Sequence, residues 1–289
     1  MKSILVTGAS GQLGRCFEKL SSQYSQFDFV FMSSSELDIT NKCDLTHLFA
    51  AKDFDYCINC AAYTNVEKAE SEKEKAFKVN AEAPKILADI CHFSNTTLFH
   101  FSTDYVFNGN SKMPYAEDDK TDPINVYGAS KLKGEENIRK SADKYFIFRT
   151  SWLYSEFNHN FFNTILRKAE EKATLNITTA QKGTPTNAND LAQLVMQIIV
   201  SENANYGVYH FSNDGEATWY DFAEAILEIS GNTEVLELNK DNSYKTVAKR
   251  PEYSVLSKKE VQQNFNIPLI HWRESLEQLY NSAISKKSS

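Results

Sequence analysis

A glycine-rich turn near the start constrains the fold of this chain more than any other feature. Gly8, Gly11 and Gly14 follow the apolar run 3–6 and precede a segment with helical periodicity, 12–22. Glycines at this spacing permit a tight turn, let backbone N–H groups approach a pyrophosphate, and let the helix pack closely on the strand. The order of strand, turn and helix therefore predicts a dinucleotide-binding unit in an α/β fold with a doubly wound parallel sheet.

The rest of the chain divides into two patterns. Strand-like runs at 27–32, 56–60, 97–101 and 145–149 alternate with helical segments, which predicts a Rossmann dinucleotide-binding domain over residues 1–152. Helices and long loops follow, so we expect a smaller, mostly helical substrate-binding part over residues 153–289. Two later strand-like pieces, 175–179 and 207–211, are expected to return to the sheet edges, and with them the segment 175–200.

Composition and charge exclude several classes of protein. The 289 residues are 42% hydrophobic and 24% charged, and the net charge of -7 comes without a large basic block. These values predict a cytoplasmic protein that binds neither nucleic acid nor membrane, and they leave monomer and homodimer open. The first ten residues lack the apolar core and cleavage site of a signal peptide.

The cysteines and histidines predict no disulfide framework and no metal site. Five cysteines are an odd number, and no two of the six histidines stand three or four residues apart. Cys57 and Cys60 have the spacing of a redox or zinc pair, but strand alternation places them on opposite faces. We expect them to be buried as small hydrophobic residues.

Tyr127 and Lys131 are the candidate catalytic pair. They stand four residues apart in a segment expected to be helical to about residue 141, so both side chains reach one cleft. A neighbouring ammonium favours the phenolate, which would let Tyr127 give a proton to a carbonyl oxygen and take it back.

Other candidates stand at or after the predicted strands. Thr103 and Asp104 follow the run 97–101, and a hydroxyl there can orient a substrate carbonyl. Asn80 is either a helix interruption or the holder of a water beside Lys131. Trp152 is either a core anchor or a platform beside a sugar or base. Arg250 is either a phosphate contact or part of a surface turn.

The end of the second predicted strand leaves the choice between NADH and NADPH open. Ser33, Ser34 and Ser35 stand where an Asp or Glu often binds the adenosine ribose, and no Arg or Lys is there for a 2′-phosphate. Asp38 either reaches the adenine amino group or caps a turn. Small residues at 61 and 62 would let a nucleotide lie against the backbone.

The glycine turn at residue 8, the hydroxyl of Thr103, Asn80, and the pair Tyr127 and Lys131 occur together in this chain. This set resembles the extended short-chain dehydrogenase/reductase superfamily and, within it, the dTDP-4-dehydrorhamnose reductase family. The resemblance runs from residue 4 to about residue 256 and is carried by the stretches 8–14, 59–64, 101–107, 125–128, 148–152, 183–186 and 250–251. It implies that a nicotinamide delivers hydride to C4 of dTDP-4-dehydro-L-rhamnose and that Tyr127 protonates the oxygen. Lys131 would hold the nicotinamide ribose and lower the pKa of Tyr127, while Thr103, Asp104 and Trp152 would contact the sugar nucleotide.

The resemblance also implies a cofactor-binding set, and the chain departs from the family elsewhere. The expected set, including residues predicted above from the glycine turn, is Gly8, Gly11, Gln12, Leu13, Gly14, Asp38, Ile39, Ala61, Ala62, Tyr63, Thr64, Tyr127 and Lys131. Some members dimerise around magnesium through glutamates, but the matching positions here are Arg15 and Asn189, so we expect no such dimer.

Other functions remain open at this point. One alternative is an epimerase, a dehydratase or a reductase of another 4-keto sugar nucleotide; dehydratases typically have an Asp-Glu pair where Asp104 and Tyr105 follow Thr103 here. The other alternative is a non-catalytic regulatory subunit that binds NADP, although such a subunit does not need Thr103, Tyr127 and Lys131 together.

Overall fold

Six parallel strands form the central sheet of the computed structural model, which describes residues 1–231, 237–243 and 245–285. The strand order is β2-β1-β3-β4-β5-β10. In chain order the strands are β1 (Lys2–Thr7), β2 (Phe27–Met32), β3 (Tyr56–Asn59), β4 (Thr97–Thr103), β5 (Tyr145–Thr150), β6 (Leu153–Tyr154), β7 (Leu175–Ile177), β8 (Lys182–Gly183), β9 (Thr186–Asn187), β10 (Gly207–His210), β11 (Ala217–Thr218) and β12 (Leu238–Lys240).

Helices cover both faces of this sheet and form a smaller part beside it. They are α1 (Gln12–Ser21), α2 (Lys42–Ala51), α3 (Val66–Ala69), α4 (Lys73–Phe77), α5 (Ala83–Phe93), α6 (Val126–Ser141), α7 (Phe161–Glu170), α8 (Ala188–Val200), α9 (Trp219–Ser230), α10 (Lys259–Phe265) and α11 (Trp272–Ser285). A π-helical turn, Lys78–Glu82, connects α4 to α5, and a 3-10 turn, Asp104–Val106, follows β4. The predicted α/β doubly wound parallel sheet is confirmed.

Strand alternation divides the core between the two faces of the sheet. Ile4, Val6 and Ile58 point to the side covered by α1, α8 and α10, whereas Leu5 and Cys57 point to the side covered by α2 and α5. Successive strand side chains face opposite ways, so a strand buried on both faces must be apolar throughout. Cys57 is buried in one core as predicted, whereas Cys60 is only partly buried and packs against the other core.

The order in which strands are added to the sheet changes side at β1. β2 lies on one side of β1 and β3 on the other, so α1 and the crossover to β3 cover opposite faces. In an open parallel sheet the crevice at such a reversal, beyond the carboxyl ends of the strands, is the usual ligand site. The glycine turn and residues 60–64 both begin at this edge.

The chain after residue 153 does not form one contiguous separate part. β10 joins the sheet edge beside β5, as predicted for 207–211, and α8 packs on α1. The expectation for 175–179 is wrong: β7 pairs with β12 in a separate two-stranded sheet. Its partner is about sixty residues away in the sequence, and no local pattern reports such pairing. Residues 286–289 of the predicted second part lie outside the described residues.

The smaller helical part has its own apolar core. Phe162 of α7, Phe222 of α9 and Trp272 of α11 pack together around Tyr154. This cluster adjoins the carboxyl edge of the main sheet through Trp152 and Trp219, which pack against it. Within residues 1–231, 237–243 and 245–285 we find no helix with the length and hydrophobicity that a membrane crossing requires.

Candidate active site

A cleft of about 650 Å³ lies between the carboxyl edge of the sheet and the smaller helical part. Its volume falls in the range typical of small-ligand sites. The cleft collects most of the candidates that the sequence indicates from separate segments: Gly11, Gln12, Leu13, Ala61, Ala62, Thr64, Thr103, Asp104, Tyr127, Lys131, Trp152 and Arg250. Six others, Gly8, Gly14, Asp38, Ile39, Tyr63 and Asn80, do not line its wall.

The glycine turn forms one end of the cleft, and its geometry requires the glycines. Gly8 has a φ of +64°, and a Cβ there would lie 2.5 Å from the Ala61 nitrogen. At Gly14 a Cβ would lie 2.5 Å from the Gly8 oxygen. Because neither Gly8 nor Gly14 has a side chain, α1 can lie close to β1 and to the chain after β3. Gly11, the residue before α1, offers no side-chain cap, and the first turn of α1 carries no acid. The first backbone N–H groups of α1 are thus available to an anion.

Helix α6 places Tyr127 and Lys131 in the cleft. The Asn125 side chain accepts a hydrogen bond from the Gly128 backbone N–H at 2.7 Å and so starts the helix just before Tyr127. A side chain at Gly128 would collide with the Tyr105 carbonyl, so this glycine lets the helix lie directly on the turn after β4. Lys131 is 2% exposed, which places its ammonium inside the protein.

Burial, and not Lys131, controls the pKa of Tyr127. Burial, with a smaller contribution from the Asp104 carboxyl, raises this pKa to about 12, although a hydrogen bond with Thr103 opposes the shift. Burial also lowers the pKa of Lys131 to about 8. The expected lowering of the Tyr127 pKa by Lys131 is therefore wrong for the cofactor-free chain. A phenol in this state is fully protonated at neutral pH, which suits a proton donor.

Two buried oxygens of residues that line the cleft are unsatisfied. The Thr103 hydroxyl donates to Asp104 Oδ1 at 3.0 Å, but Asp104 Oδ2 and Thr150 Oγ1 have no hydrogen-bond partner among the described residues. Burial raises the pKa of Asp104 to about 7. Buried polar atoms without partners are rare in folded proteins. Since both residues line the cleft, a polar ligand can satisfy these atoms.

Asn80 does not line the cleft, and its side chain contacts the elements behind the cleft wall. It stands in the π-helical turn, and its Oδ1 accepts from the Tyr63 backbone N–H at 2.8 Å. Its Nδ2 donates to the Tyr63 carbonyl at 2.9 Å and to Ser130 Oγ at 3.0 Å. These contacts join the chain after β3 to α6, so the geometry gives Asn80 a positioning role. The water relay stays a prediction.

Trp152 is not the free platform that one reading of the sequence expects. Its indole stacks on that of Trp219, with ring centroids 3.8 Å apart and an interplanar angle of 10°. A Cβ on Gly183 would lie 2.8 Å from Trp152 Cε2, so the Gly183 backbone covers the other face. The backbone of Trp152 has a left-handed φ of 47°, a strain that often marks a functional site. Only the edge of Trp152 faces the cleft.

Trp219 and Phe161 are site residues that sequence reasoning missed. Phe161 packs against Trp219 with ring centroids 4.6 Å apart, and both line the cleft. Each stands at the first position of a helix, directly after a capping residue, Thr218 for α9 and Asn160 for α7. Helix starts can be recognised in the sequence, but which starts face the sheet edge depends on long-range packing.

Arg250 lines the cleft and is paired with Glu67. Its Nη1 is 2.5 Å from Glu67 Oε1 and donates to the Ala248 carbonyl at 3.2 Å. A guanidinium has five N–H donors, so the pair leaves other donors available for an anion. Glu67 also accepts from the Val247 backbone N–H at 2.8 Å. The pair therefore holds the segment after residue 245 against α3.

The residues after β2 are held by their own side chains. Asp38 is exposed and accepts from the Thr40 backbone N–H at 2.9 Å, which is the turn-capping role. Ile39 is buried in the core. Glu36 accepts from the Ser33 hydroxyl at 2.6 Å and from the Ser33 N–H at 2.8 Å. The Glu36 carboxylate therefore lies at the end of β2, where the sequence pattern indicated only serines.

The described residues contain no group of three potential ligands that could hold a metal ion. Arg15 lies over the Phe157 ring at 4.9 Å, and Asn189 donates to Glu156 at 2.9 Å. Both side chains are engaged within the chain.

Comparisons with known proteins identify the family of this chain. The family model described as RmlD substrate binding domain matches residues 1–284. The dTDP-4-dehydrorhamnose reductase of Aggregatibacter actinomycetemcomitans is 38% identical, over 96% of this chain and 98% of its own. Among solved structures, the dTDP-4-dehydrorhamnose reductase of Clostridium acetobutylicum is 35% identical, with a TM-score of 0.90 over 98% of this chain and 99% of the other.

A second solved structure contains a cofactor. The dTDP-4-dehydrorhamnose reductase of Bacillus anthracis, in complex with NADP, is 32% identical, with a TM-score of 0.93 over 98% of this chain and 100% of the other. These matches cover nearly the whole chain, so the similarity includes both the sheet and the smaller helical part. This chain belongs to the dTDP-4-dehydrorhamnose reductase family.

Proposed function

We propose that this protein is an NAD(P)H-dependent dTDP-4-dehydrorhamnose reductase, which reduces the C4 keto group of dTDP-4-dehydro-L-rhamnose to give dTDP-L-rhamnose. The observation that carries the proposal is the wall formed by Thr103, Tyr127 and Lys131 beside two unsatisfied buried oxygens in one cleft. The proposal includes a cytoplasmic enzyme that acts, as a monomer or homodimer, on a small-molecule sugar nucleotide. A non-catalytic subunit would not need this wall.

The residues around the glycine turn fit a dinucleotide. Backbone N–H groups at the start of α1 face the cleft without a side-chain cap, and a side chain at Gly8 or Gly14 would close the approach. The positive end of the helix dipole favours the pyrophosphate. Gln12, Leu13, Ala61, Ala62 and Thr64 would line the rest of the cofactor, with Lys131 at the nicotinamide ribose. The bound nicotinamide supplies the hydride.

The remaining chemistry belongs to residues of this chain. Tyr127, protonated at neutral pH, donates its proton to the C4 oxygen as the carbonyl is reduced. The Thr103 hydroxyl turns from Asp104 Oδ1 when substrate is bound, donates its single proton to the same C4 oxygen, and orients it. Asp104 Oδ2 accepts a hydrogen bond from a sugar hydroxyl, and the edge of Trp152 contacts the sugar ring. Arg250 binds the diphosphate.

The direct test is oxidation of NADH or NADPH, each followed separately by its absorbance, when the protein meets dTDP-4-dehydro-L-rhamnose. We expect turnover that requires the sugar nucleotide and yields dTDP-L-rhamnose by mass and NMR. Binding of a nicotinamide cofactor without turnover of this sugar would reject the substrate and direct the search to other 4-keto sugar nucleotides.

Replacing Gly183 with Ala tests the role of the tryptophan stack. The new Cβ would lie within 3.0 Å of three atoms of the Trp152 ring, so the stack must move into the cleft. We expect binding of the sugar nucleotide, measured by calorimetry, to weaken about tenfold, while cofactor affinity stays unchanged. Gly207→Ala is the matched control, because its Cβ would meet only Tyr209, at 3.6 Å. Equal sugar-nucleotide affinity in both variants would contradict this role.

A further inference from the structure

A line of buried polar side chains runs from Lys131 back through the sheet. Thr7 of β1 donates to Asn59 Oδ1 at 2.8 Å, and Asn59 Nδ2 lies 3.1 Å from His100 Nδ1. His100 Nε2 lies 3.3 Å from Lys131 Nζ. None of the four is more than 2% exposed. The line joins three strands to the catalytic helix, and the reaction proposed above assigns no role to Asn59 or His100.

The backbone determines the orientation of the Asn59 amide. The Ala61 N–H donates to Asn59 Oδ1 at 3.2 Å, and a backbone N–H can only donate. The oxygen of the amide must therefore face Ala61 and Thr7, which leaves Nδ2 facing His100. An amide nitrogen also only donates, so His100 Nδ1 has to be the acceptor.

The protonation state of His100 follows. Burial lowers its pKa well below the ordinary value, and the charge of Lys131 lowers it further, so the imidazole is neutral. A neutral imidazole carries one proton. Because Nδ1 accepts from Asn59, that proton is on Nε2, and the Nε2–H points at Lys131 Nζ. An ammonium cannot accept this hydrogen bond, but a neutral amine can.

We propose that His100, held in this tautomer by Asn59, is a positioning residue that favours the neutral amine of Lys131 and so allows Lys131 to return a proton to Tyr127 in each turnover. The inference rests on the proposed reduction. Tyr127 gives its proton to the C4 oxygen and becomes a phenolate. Lys131 gives one ammonium proton to that phenolate, and the lone pair left on Nζ accepts the His100 Nε2–H. One proton taken up from the buffered solvent restores the ammonium, which is the proton that the reduction consumes overall.

The surroundings of Lys131 support this direction of transfer. Burial lowers the pKa of Lys131 to about 8, against an opposing effect of Glu135, whereas that of Tyr127 is about 12. A proton therefore passes favourably from the ammonium to the phenolate. The charge of Glu135 is matched by Arg149 of β5, 2.8 Å away. Burial also raises the pKa values of Asp104 and Tyr105 after β4 and of Cys60 after β3. The other titratable groups among the described residues of the cleft wall are His159 and Arg250.

The test is an NMR titration of Lys131 in the cofactor-free protein. Lysine labelled with ¹³C at Cε reports the ionisation of each amine, and a Lys131→Arg variant identifies the signal. We expect a midpoint near 8 in the unaltered protein. His100→Leu removes the donor and should raise the midpoint by about one unit. His100→Gln can offer an acceptor to Asn59 and a donor to Lys131, so the midpoint should stay near that of the unaltered protein.

The outcomes separate this inference from a purely structural role. A midpoint that stays the same or falls in His100→Leu would overturn it, because burial alone would then account for Lys131. If His100→Leu does not fold, Asn59→Asp replaces it: the carboxylate accepts from His100 Nδ1, Nε2 becomes an acceptor, and the midpoint should rise by about one to two units. An unmoved midpoint there would also overturn the inference.

Kinetics then connect the titration to catalysis. The alkaline limb of the kcat profile should move with the NMR midpoint across the variants, while KM for the sugar nucleotide stays within about twofold. A limb that does not move would overturn the role in proton return. The titration needs no substrate, so absence of turnover with this sugar would reject the proposed reaction and leave the His100 effect on Lys131 separately measured.

Discussion

Replacing Tyr127 with Phe is expected to reduce kcat about 10²- to 10⁴-fold, the usual contribution of a positioned general acid. Phe keeps the ring and its edge-on packing against Tyr105, whose centroid is 6.1 Å away, and removes only the proton donor. Binding of cofactor and sugar nucleotide should therefore persist. The measurement is steady-state oxidation of the reduced nicotinamide, together with calorimetric affinities for both ligands.

The control for this variant is Tyr56→Phe. Tyr56 is also a buried tyrosine with a raised pKa, but it stands at the amino end of β3, away from the cleft. It should keep full turnover. Retained turnover in Tyr127→Phe would show that another group protonates the C4 oxygen, and Asp104, with a pKa raised to about 7, would be the next residue to replace.

Replacing Arg149 with Met should cost about 3–5 kcal/mol of stability. Arg149 and Glu135 form a buried ion pair, 3% and 1% exposed as residues, with Nη2 2.8 Å from Glu135 Oε2 and Nε 3.1 Å from both carboxylate oxygens. The Ser102 hydroxyl also donates to this carboxylate. Met fills similar space but leaves Glu135 without its opposite charge, so the variant should unfold at much lower urea concentration.

An exposed ion pair on the same helix provides the comparison. Lys133 and Glu136 of α6 lie 2.8 Å apart with both side chains more than 40% exposed, and exposed pairs contribute little. Lys133→Met should change stability by less than about 1 kcal/mol. Replacing Arg149 and Glu135 together with Met and Leu should recover part of the loss. Equal stability of Arg149→Met and Lys133→Met would show that water reaches the buried pair.

Much of the fold could be predicted because the determining signals are local. The strand before Gly8, the helix after it, and the helix that carries Tyr127 and Lys131 each have a periodicity or spacing confined to a few residues. β7 could not be predicted in this way, since its pairing with β12 depends on packing between segments far apart in the chain.

Parts of the site were harder to predict because they depend on what surrounds each side chain. The sequence leaves Trp152 as either a core anchor or a platform, and only the structure shows that Trp219 and Gly183 cover the faces of its ring. Asn80 is either a helix interruption or the holder of a water as far as the sequence tells, and the structure adds that its amide contacts Tyr63 and Ser130. In both cases the deciding contact comes from another element.

The sequence by itself determined the class of fold, the position of the dinucleotide turn and the identity of the residues Thr103, Tyr127 and Lys131, because spacing along one strand or helix is enough to place them. The tertiary structure alone decided their chemical state. Burial raises the pKa of Tyr127 and lowers that of Lys131, and the Ala61 backbone determines which His100 nitrogen faces Lys131. Desolvation and hydrogen-bond direction depend on groups from several strands at once, and these groups meet only in the folded chain.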